Sequence, residues 1–191
     1  MNMSTFSGRR IAVTNRRMSR RPFLEQLEVI AQTMPDAILL REMDLSYAEY
    51  ITMAKAVLAL ARRHGIECIL RSRPALARQL GCASIHLPFD HLRHFRDELA
   101  DFQQISVSVH STEEAKAAQQ MGATRLVAGH IFATACKQGL SPRGIEFLEE
   151  VCRSVSLPVF AIGGISADNA HLAIAAGAAG VCMMSGYMEM E

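Results

Sequence analysis

Two short glycine turns in the last third of the chain have the composition of a phosphate site. Gly163-Gly164 lies in the segment AIGGIS, after an apolar run and before a helical pattern, and Ser185-Gly186 follows the next apolar run. Glycine has no Cβ, so its backbone can approach an anion closely, and free N–H groups at the start of a helix would complete the site. The alternative is two plain tight turns. We predict that the two turns hold a phosphate ester.

The segment AGHIFATACKQGLSPRG, residues 128–144, is long for a connection and carries several reactive side chains. His130 stands near its start, where a neutral imidazole could move a proton near pH 7 or simply bond to backbone. Lys137 could contact a phosphate or a carboxylate, or remain solvated. Cys136 could act as a nucleophile, but no activating base is evident beside it, so we expect a bystander thiol.

Polar residues also follow or end several other apolar runs. The carboxyl ends of the strands carry the active site of a parallel barrel, so these residues should meet at one mouth. His86, His110 and His130 could resemble a three-histidine zinc site. Their spacing is not fixed, no Asp or Glu accompanies them in a ligand-like pattern, and the alternating IHL run allows His86 to point outward. We therefore expect neither a metal nor another cofactor. The polar residues at strand ends are Thr14, Asn15, Arg41, Glu42, Arg71, Ser72, His86, His110, Ser111 and His130.

Short apolar runs alternate with longer amphipathic runs along the whole chain. The pattern predicts a parallel sheet with right-handed crossovers, and eight strands indicate a closed TIM (β/α)₈ barrel. After the eighth strand and Ser185 only residues 186–191 remain, so the final helix is short or missing. We expect the helical layer to be incomplete beside the first strand, or to be covered there by another subunit. The predicted strands are 10–14, 37–41, 67–70, 84–87, 104–109, 125–128, 158–162 and 180–184. The first predicted helix begins at about 22, and the others cover 46–64, 74–80, 91–101, 113–121, 144–155 and 166–176.

The composition fits one globular domain over residues 1–191. Half of the 191 residues are hydrophobic, which allows a sizeable core, and the net charge is +1. The nearest approach to a basic patch is an interrupted cluster without interleaved aromatic residues, at Arg16, Arg17, Arg20 and Arg21. A nucleic-acid footprint needs a basic patch, so we expect a solvated surface here and no nucleic-acid partner.

The five cysteines and the hydropathy pattern indicate a cytoplasmic protein. No two cysteines form a CxxC pair, and an odd number without a framework spacing is typical of reduced thiols. Residues 1–10 contain no apolar core of a signal peptide. No stretch approaches the roughly 20 apolar residues that span a bilayer, so we expect no membrane partner.

Five segments, spread over nearly the whole chain, resemble the thiamine phosphate synthase / TenI family. Their order and spacing match the family from Ile11 to Gly186, and the resemblance implies a phosphate-binding barrel and a homodimer. The family contains two activities of thiamine biosynthesis. Synthases couple a pyrimidine pyrophosphate to a thiazole phosphate with magnesium, and TenI-type tautomerases isomerise a carboxythiazole phosphate to its aromatic form without a metal. The segments are LLRE at 39–42, SVHSTEEA at 108–115, GHIFATACKQGLSPRG at 129–144, PVFAIGGIS at 158–166 and AGAAGVCMMSG at 176–186.

Three segments depart from the synthase pattern. Met43 stands where synthases typically carry Lys, and residues 71–74 read RSRP where synthases carry an Asn-Asp pair that helps to bind magnesium and pyrophosphate. Residues 88–91 read PFDH in place of a Gly-Gln-Glu-Asp type run. Synthases usually have Pro at the position of His130, whereas the GHIF segment is similar to that of the tautomerases. The resemblance therefore predicts an isomerase, a thiazole tautomerase, with a small thiazole phosphate as substrate.

The resemblance also implies roles for individual residues. His130 would be the catalytic general acid and base. Arg71 departs from the Asn common in TenI proteins and could contact a carboxylate or obstruct the pocket. The alternatives are a thiamine phosphate synthase and a non-enzymatic regulatory protein that binds a thiazole or thiamine phosphate. The expected phosphate or substrate contacts are Arg41, Arg71, Ser108, His110, Lys137, Gly163, Gly164, Ser185 and Gly186.

Overall fold

Eight parallel strands form a closed barrel in which every strand pairs with its neighbours in chain order, and β8 pairs with β1. The structure is a computed structural model that describes residue 6 and residues 8–137 and 139–191. The predicted (β/α)₈ barrel is thus confirmed. The strands are β1 Arg9–Val13, β2 Ala37–Leu40, β3 Glu67–Arg71, β4 Ser84–Pro88, β5 Gln104–Val109, β6 Arg125–Gly129, β7 Val159–Ile162 and β8 Gly180–Met183.

Helices follow the strands and cover the outside of the barrel. The predicted capping box is confirmed at the start of the longest helix, where Ser46 accepts from the Glu49 N–H and Glu49 accepts from the Ser46 N–H at 2.8 Å. The helices are α1 Phe23–Gln32, α2 Tyr47–His64, α3 Pro74–Gln79, α4 Phe89–His94, α5 Thr112–Gln120, α6 Gly144–Ser154, α7 Ala170–Ala175 and α8 Ser185–Met188, with 3-10 turns at Arg16–Met18, Arg96–Glu98 and Ala135–Lys137.

Two predicted helices are shorter than the sequence pattern indicated. The fourth ends at His94 and is followed by a separate 3-10 turn, so no continuous helix covers 91–101. The seventh begins at Ala170 and not at Ser166, because the side chain of Asn169 accepts from the Ser166 N–H at 2.8 Å and holds the chain in a turn. The glycine turn at 163–164 is therefore separated from the helix that was expected to follow it directly.

The barrel interior is filled by alternate residues of the strands. Since successive side chains of a strand point to opposite faces, Arg41 and Arg71 lie on the same side as Leu39 and Ile69, two residues before them, which belong to the interior cluster. They are therefore directed to the interior at the carboxyl ends of β2 and β3. The interior cluster consists of Ile11, Val13, Ala37, Leu39, Ile69, Val127, Phe160 and Cys182, and the opposite faces pack against the helices in a larger core.

The last residues of the chain close the barrel wall beside β1. The final helix is a single turn, as predicted, and Tyr187 and Met188 are buried. Gln26 of α1 donates to the carbonyl of Tyr187 at 2.9 Å and to that of Met190 at 3.2 Å. The expected gap in the helical layer beside β1 is therefore covered by this chain itself, through one short turn tied to α1. Within the described residues no helix is long and apolar enough to cross a membrane.

Candidate active site

Two arginines at the barrel mouth carry positive charge that no carboxylate among the described residues offsets. Arg71 ends β3, and Arg41 follows the last residue of the neighbouring strand β2. Both are partly buried, and burial lowers the pKa of Arg71, with the nearby Arg41 guanidinium acting in the same direction. Neither guanidinium forms an ion pair within the part of the chain that the structure describes. Positive charge is therefore concentrated at this side of the mouth.

Buried hydroxyl groups fix the backbone of both arginines. The Thr14 hydroxyl accepts from the Arg41 N–H at 2.9 Å and donates to Glu42 at 2.8 Å. The Tyr50 hydroxyl donates to the Leu40 carbonyl and accepts from the Arg71 N–H, both at 3.4 Å. Burial raises the pKa of Tyr50 to about 12, so this hydroxyl keeps its proton at neutral pH. The two strand ends are thus tied to β1 and to α2.

The carboxylates beside these arginines are paired with other cations. Glu42 is 3% exposed and accepts from Thr14, from the Arg16 N–H at 3.0 Å and from the Arg16 guanidinium at 3.3 Å. Asp44 accepts from Arg16 at 2.9 Å and also pairs with Arg17. The Arg16 contact holds the pKa of Asp44 at about 2. These negative charges are balanced locally and do not neutralise Arg41 or Arg71.

A cleft of about 180 Å³ opens beside Arg71. Arg73 lies in its wall, with its guanidinium 4.4 Å from the centre of the Tyr50 ring. Sequence reasoning did not select Arg73 or Tyr50. The signal for Arg73 was its position two residues after Arg71, but Tyr50 lies inside α2 and resembles any buried helix residue. The cleft is lined by Glu42, Met43, Tyr50, Arg71, Ser72 and Arg73.

His86 faces the barrel interior, so the expectation that it could point outward is wrong. Its Nδ1 lies 3.0 Å from the Ser106 hydroxyl and its Nε2 lies 2.8 Å from the Ser108 hydroxyl. Burial, with nearby Arg71, Arg125 and Arg41, lowers the pKa of His86 to about 3. The ring is neutral at pH 7 and bonded at both nitrogens, so it positions Ser108 below the mouth.

The glycine turn after β7 is packed against the segment that follows β6. A Cβ at Gly163, whose φ is +100°, would lie 2.2 Å from the Cβ of His130. A Cβ at Gly164, whose φ is +63°, would lie 2.4 Å from the Ala133 carbonyl oxygen. The predicted reason for these glycines was access for an anion. The structure adds a different one, because the chain itself fills the space where their side chains would be.

The turn after β8 is open by comparison. Ser185 and Gly186 begin α8 and are exposed, and a Cβ at Gly186 would meet only the sulfur of Met183, at 4.0 Å. The backbone N–H groups of Gly164, Ser185 and Gly186 donate to no acceptor among the described residues. Because β7 and β8 are paired neighbours, these donors lie at adjacent strand ends. Unpaired backbone donors of this kind suit an anion.

The segment after β6 places His130, Cys136 and Lys137 at the carboxyl end of the barrel. The His130 ring lies 3.4 Å from the Leu140 carbonyl oxygen, and the exposed His110 ring lies 2.7 Å from that of Gly129. Lys137 and Cys136 are exposed on the 3-10 turn. In the chain as described, no three His, Cys, Asp or Glu side chains are grouped so that they could hold a metal ion.

Sequence comparison decides the family. Residues 11–187 match the family described as thiamine monophosphate synthase. The chain belongs to this family. Relatives in it include the thiamine-phosphate synthase of Roseiflexus castenholzii, 32% identical over 94% of this chain and 81% of that protein. That of Moorella thermoacetica is 34% identical over 92% of this chain and 85% of that protein. The putative thiamine-phosphate synthase 2 of Aquifex aeolicus is 31% identical over 93% of this chain and 96% of that protein.

Solved structures agree with this membership. The thiamine phosphate pyrophosphorylase from Pyrococcus furiosus superposes with a TM-score of 0.86 at 26% identity, over 100% of this chain and 91% of that one. The N-acetylmannosamine-6-phosphate 2-epimerase from Clostridium perfringens superposes with a TM-score of 0.66 at 13% identity, over 99% and 92%, which shows only the shared barrel.

These comparisons overturn the isomerase prediction. The relatives that cover most of the chain at about 30% identity are named thiamine-phosphate synthases, and the structure that superposes best among those described is named a pyrophosphorylase. The thiazole tautomerase interpretation depended on His130 and on three departures from the synthase pattern, and it was wrong. The general acid and base role of His130 was tied to that isomerisation and stays a prediction from the sequence. What the comparisons support is an enzyme of thiamine biosynthesis.

Proposed function

We propose that the protein is a thiamine-phosphate synthase, which joins a pyrimidine pyrophosphate to a thiazole phosphate and releases pyrophosphate. The names of relatives that cover most of the chain support this activity. The observation that carries it in the structure is that Arg41 and Arg71 have no ion-pair partner among the described residues. Their guanidinium groups lie apart from the backbone N–H groups after β7 and β8, which also have no acceptor there. A reaction between two phosphorylated substrates needs two such anion sites at one mouth.

The two anion sites lie on opposite sides of the barrel. In the ring of eight strands β3 is directly across from β7, so Arg71 faces the glycine turns over the mouth. We assign the thiazole phosphate to the N–H groups of Gly164, Ser185 and Gly186, because a small phosphate fits a turn of backbone donors. We assign the pyrophosphate to Arg41 and Arg71, because guanidinium groups bind phosphate oxygens in pairs.

This arrangement suits a displacement reaction. The bond between the pyrimidine methylene carbon and the pyrophosphate oxygen breaks, and the leaving group takes the electron pair. A nucleophilic atom of the thiazole forms the new bond to the same carbon. Negative charge grows on the departing pyrophosphate, where fixed guanidinium groups in a partly buried site stabilise it. The phosphate at the glycine turns orients the thiazole toward the carbon, which lowers the entropic cost of the encounter.

The remaining predicted contacts are assigned to the walls of this site. Ser108 lies below the mouth and is held by His86 at 2.8 Å. His130 and His110 lie at the end of β6 and the end of β5, and their rings are bonded to backbone carbonyls. Lys137 is exposed on the 3-10 turn after β6. None of these side chains needs to transfer a proton in the proposed coupling.

Initial rates of pyrophosphate release test the proposal when both substrates are supplied. The expected result is release that requires both substrates and that falls at least tenfold in Arg41→Gln. Arg153→Gln is the matched control, because Arg153 is exposed on α6 and pairs only with Glu149 among the described residues. No release above the protein-free rate, with or without magnesium, would contradict the proposal.

A further inference from the structure

We infer that guanidinium groups of this chain, those of Arg71 and Arg73 together with Arg41, take the place of a magnesium ion in holding the pyrophosphate. The inference rests on the proposed synthase function, since that reaction brings the pyrophosphate. It concerns the cleft of about 180 Å³ beside Arg71.

Among the described residues, no free carboxylate lines this cleft for magnesium. Magnesium binds carboxylate, carbonyl and water oxygens in octahedral geometry, usually with one or two carboxylates and substrate phosphates. Glu42 is the carboxylate in the cleft wall, and it is 3% exposed with both oxygens accepting from Thr14 and Arg16. Met43 offers only a thioether, which is a soft ligand. The residues present do not fit the ion.

The local charge also opposes a divalent cation. Arg71 lines the cleft with Arg73, and Arg41 lies close enough to lower the pKa of Arg71. A dication placed beside these groups would be repelled by every one of them in a partly buried site, where charges are weakly screened. The same concentration of positive charge attracts a pyrophosphate directly.

The cleft presents donors that a phosphate can use. Arg73 is held with its guanidinium 4.4 Å from the Tyr50 ring centre and 5.6 Å from that of Tyr47, which leaves its edge N–H groups for a ligand. The Ser72 hydroxyl oxygen is buried without a partner in the described chain, and Ser72 has a φ of +55°. A buried hydroxyl without a partner is costly. A phosphate oxygen in the cleft would satisfy it.

The test measures binding of inorganic pyrophosphate by calorimetry, in EDTA and then in excess magnesium. We expect binding in EDTA that magnesium does not strengthen. Arg71→Asn and Arg73→Gln should each weaken metal-free binding at least tenfold, and Arg153→Gln should leave it unchanged. Both arginines are partly buried, so thermal unfolding of each variant shows whether it is folded.

The outcomes separate this inference from the proposed function. Pyrophosphate binding that requires magnesium, or equal metal-free binding by the wild type and both variants, would overturn the inference even if the coupling reaction proceeds. Metal-free binding that depends on Arg71 and Arg73 supports it, because no pyrimidine or thiazole substrate is present in the measurement. A folded protein that binds pyrophosphate in this way but forms no coupled product would contradict only the synthase proposal.

Discussion

Gly163→Ala should lower the stability of the protein, whereas Gly186→Ala should keep the stability and weaken phosphate binding. The two glycines lie in neighbouring turns, yet their surroundings differ. A Cβ at Gly163 would lie 2.2 Å from the His130 Cβ and 2.7 Å from its Cα, and these atoms cannot move without moving the backbone. A Cβ at Gly186 would have one neighbour, the Met183 sulfur at 4.0 Å. Gly163 is therefore needed for packing, and Gly186 is free to serve a ligand.

The expected magnitude for Gly163→Ala follows from two costs. A non-glycine residue at a φ of +100° costs about 1 to 3 kcal/mol in backbone strain. Overpacking against the His130 backbone adds about 1 to 3 kcal/mol. The free energy of unfolding should thus fall by about 2 to 6 kcal/mol in total. Gly186→Ala should leave the free energy of unfolding within about 1 kcal/mol of the wild type, because the new methyl group meets open space.

Urea unfolding and phosphate titration on the same samples provide the assay. We expect Gly186→Ala to be as stable as the wild type but to bind inorganic phosphate at least about tenfold more weakly, a loss of about 1.4 kcal/mol. Wild-type stability in Gly163→Ala would refute the packing argument. Wild-type phosphate affinity in Gly186→Ala would refute the assignment of the phosphate to this turn.

Two further variants test the buried polar groups around the mouth. Burial lowers the pKa of His86 from about 6.5 in the unfolded chain to about 3 in the folded one, so the unfolded chain binds a proton first as the pH falls below 6.5. The free energy of unfolding should therefore fall by about 2 kcal/mol between pH 8 and pH 5. Urea titrations at pH 8 and pH 5 should show no such fall in His86→Gln, whereas the exposed control His171→Gln should keep it. An equal fall in both variants would contradict the prediction. Glu42→Gln should lower the free energy of unfolding by about 1 to 3 kcal/mol, because a buried acceptor of Arg16 loses its charge. Glu149→Gln on the exposed face of α6 should cost under about 0.5 kcal/mol, and an equal effect of the two would refute the role of Glu42.

Local patterns in the sequence predicted most of the barrel. Ser46 with Glu49 marked the start of α2 correctly, because a capping box depends on residues only three apart. The direction of His86 could not be predicted in the same way. Both faces of a barrel strand are buried, so the hydrophobic alternation around His86 carries no information about which face is inside. The start of α7 was also wrong, since the contact of Asn169 with Ser166 competes with the helix.

The sequence predicted the arginines of the candidate site, but neither the residues that hold them in place nor the reaction. Arg41 and Arg71 could be chosen because strand ends meet at the mouth of a barrel. Tyr50 and Arg73 could not, because their contacts depend on how α2 packs against β2 and β3. The predicted reaction was wrong because it gave His130 and three local departures from the synthase pattern more weight than the similarity of the whole chain to synthases.

Product analysis with the purified protein tests the proposed synthase activity most directly. The pyrimidine pyrophosphate and the thiazole phosphate are mixed with the wild-type protein, and thiamine phosphate and pyrophosphate are quantified over time by mass spectrometry and by an enzymatic pyrophosphate assay. We expect both products to appear in equal amounts, and omission of either substrate to abolish both. Pyrophosphate without thiamine phosphate, or neither product from a folded protein that binds both substrates, would contradict it.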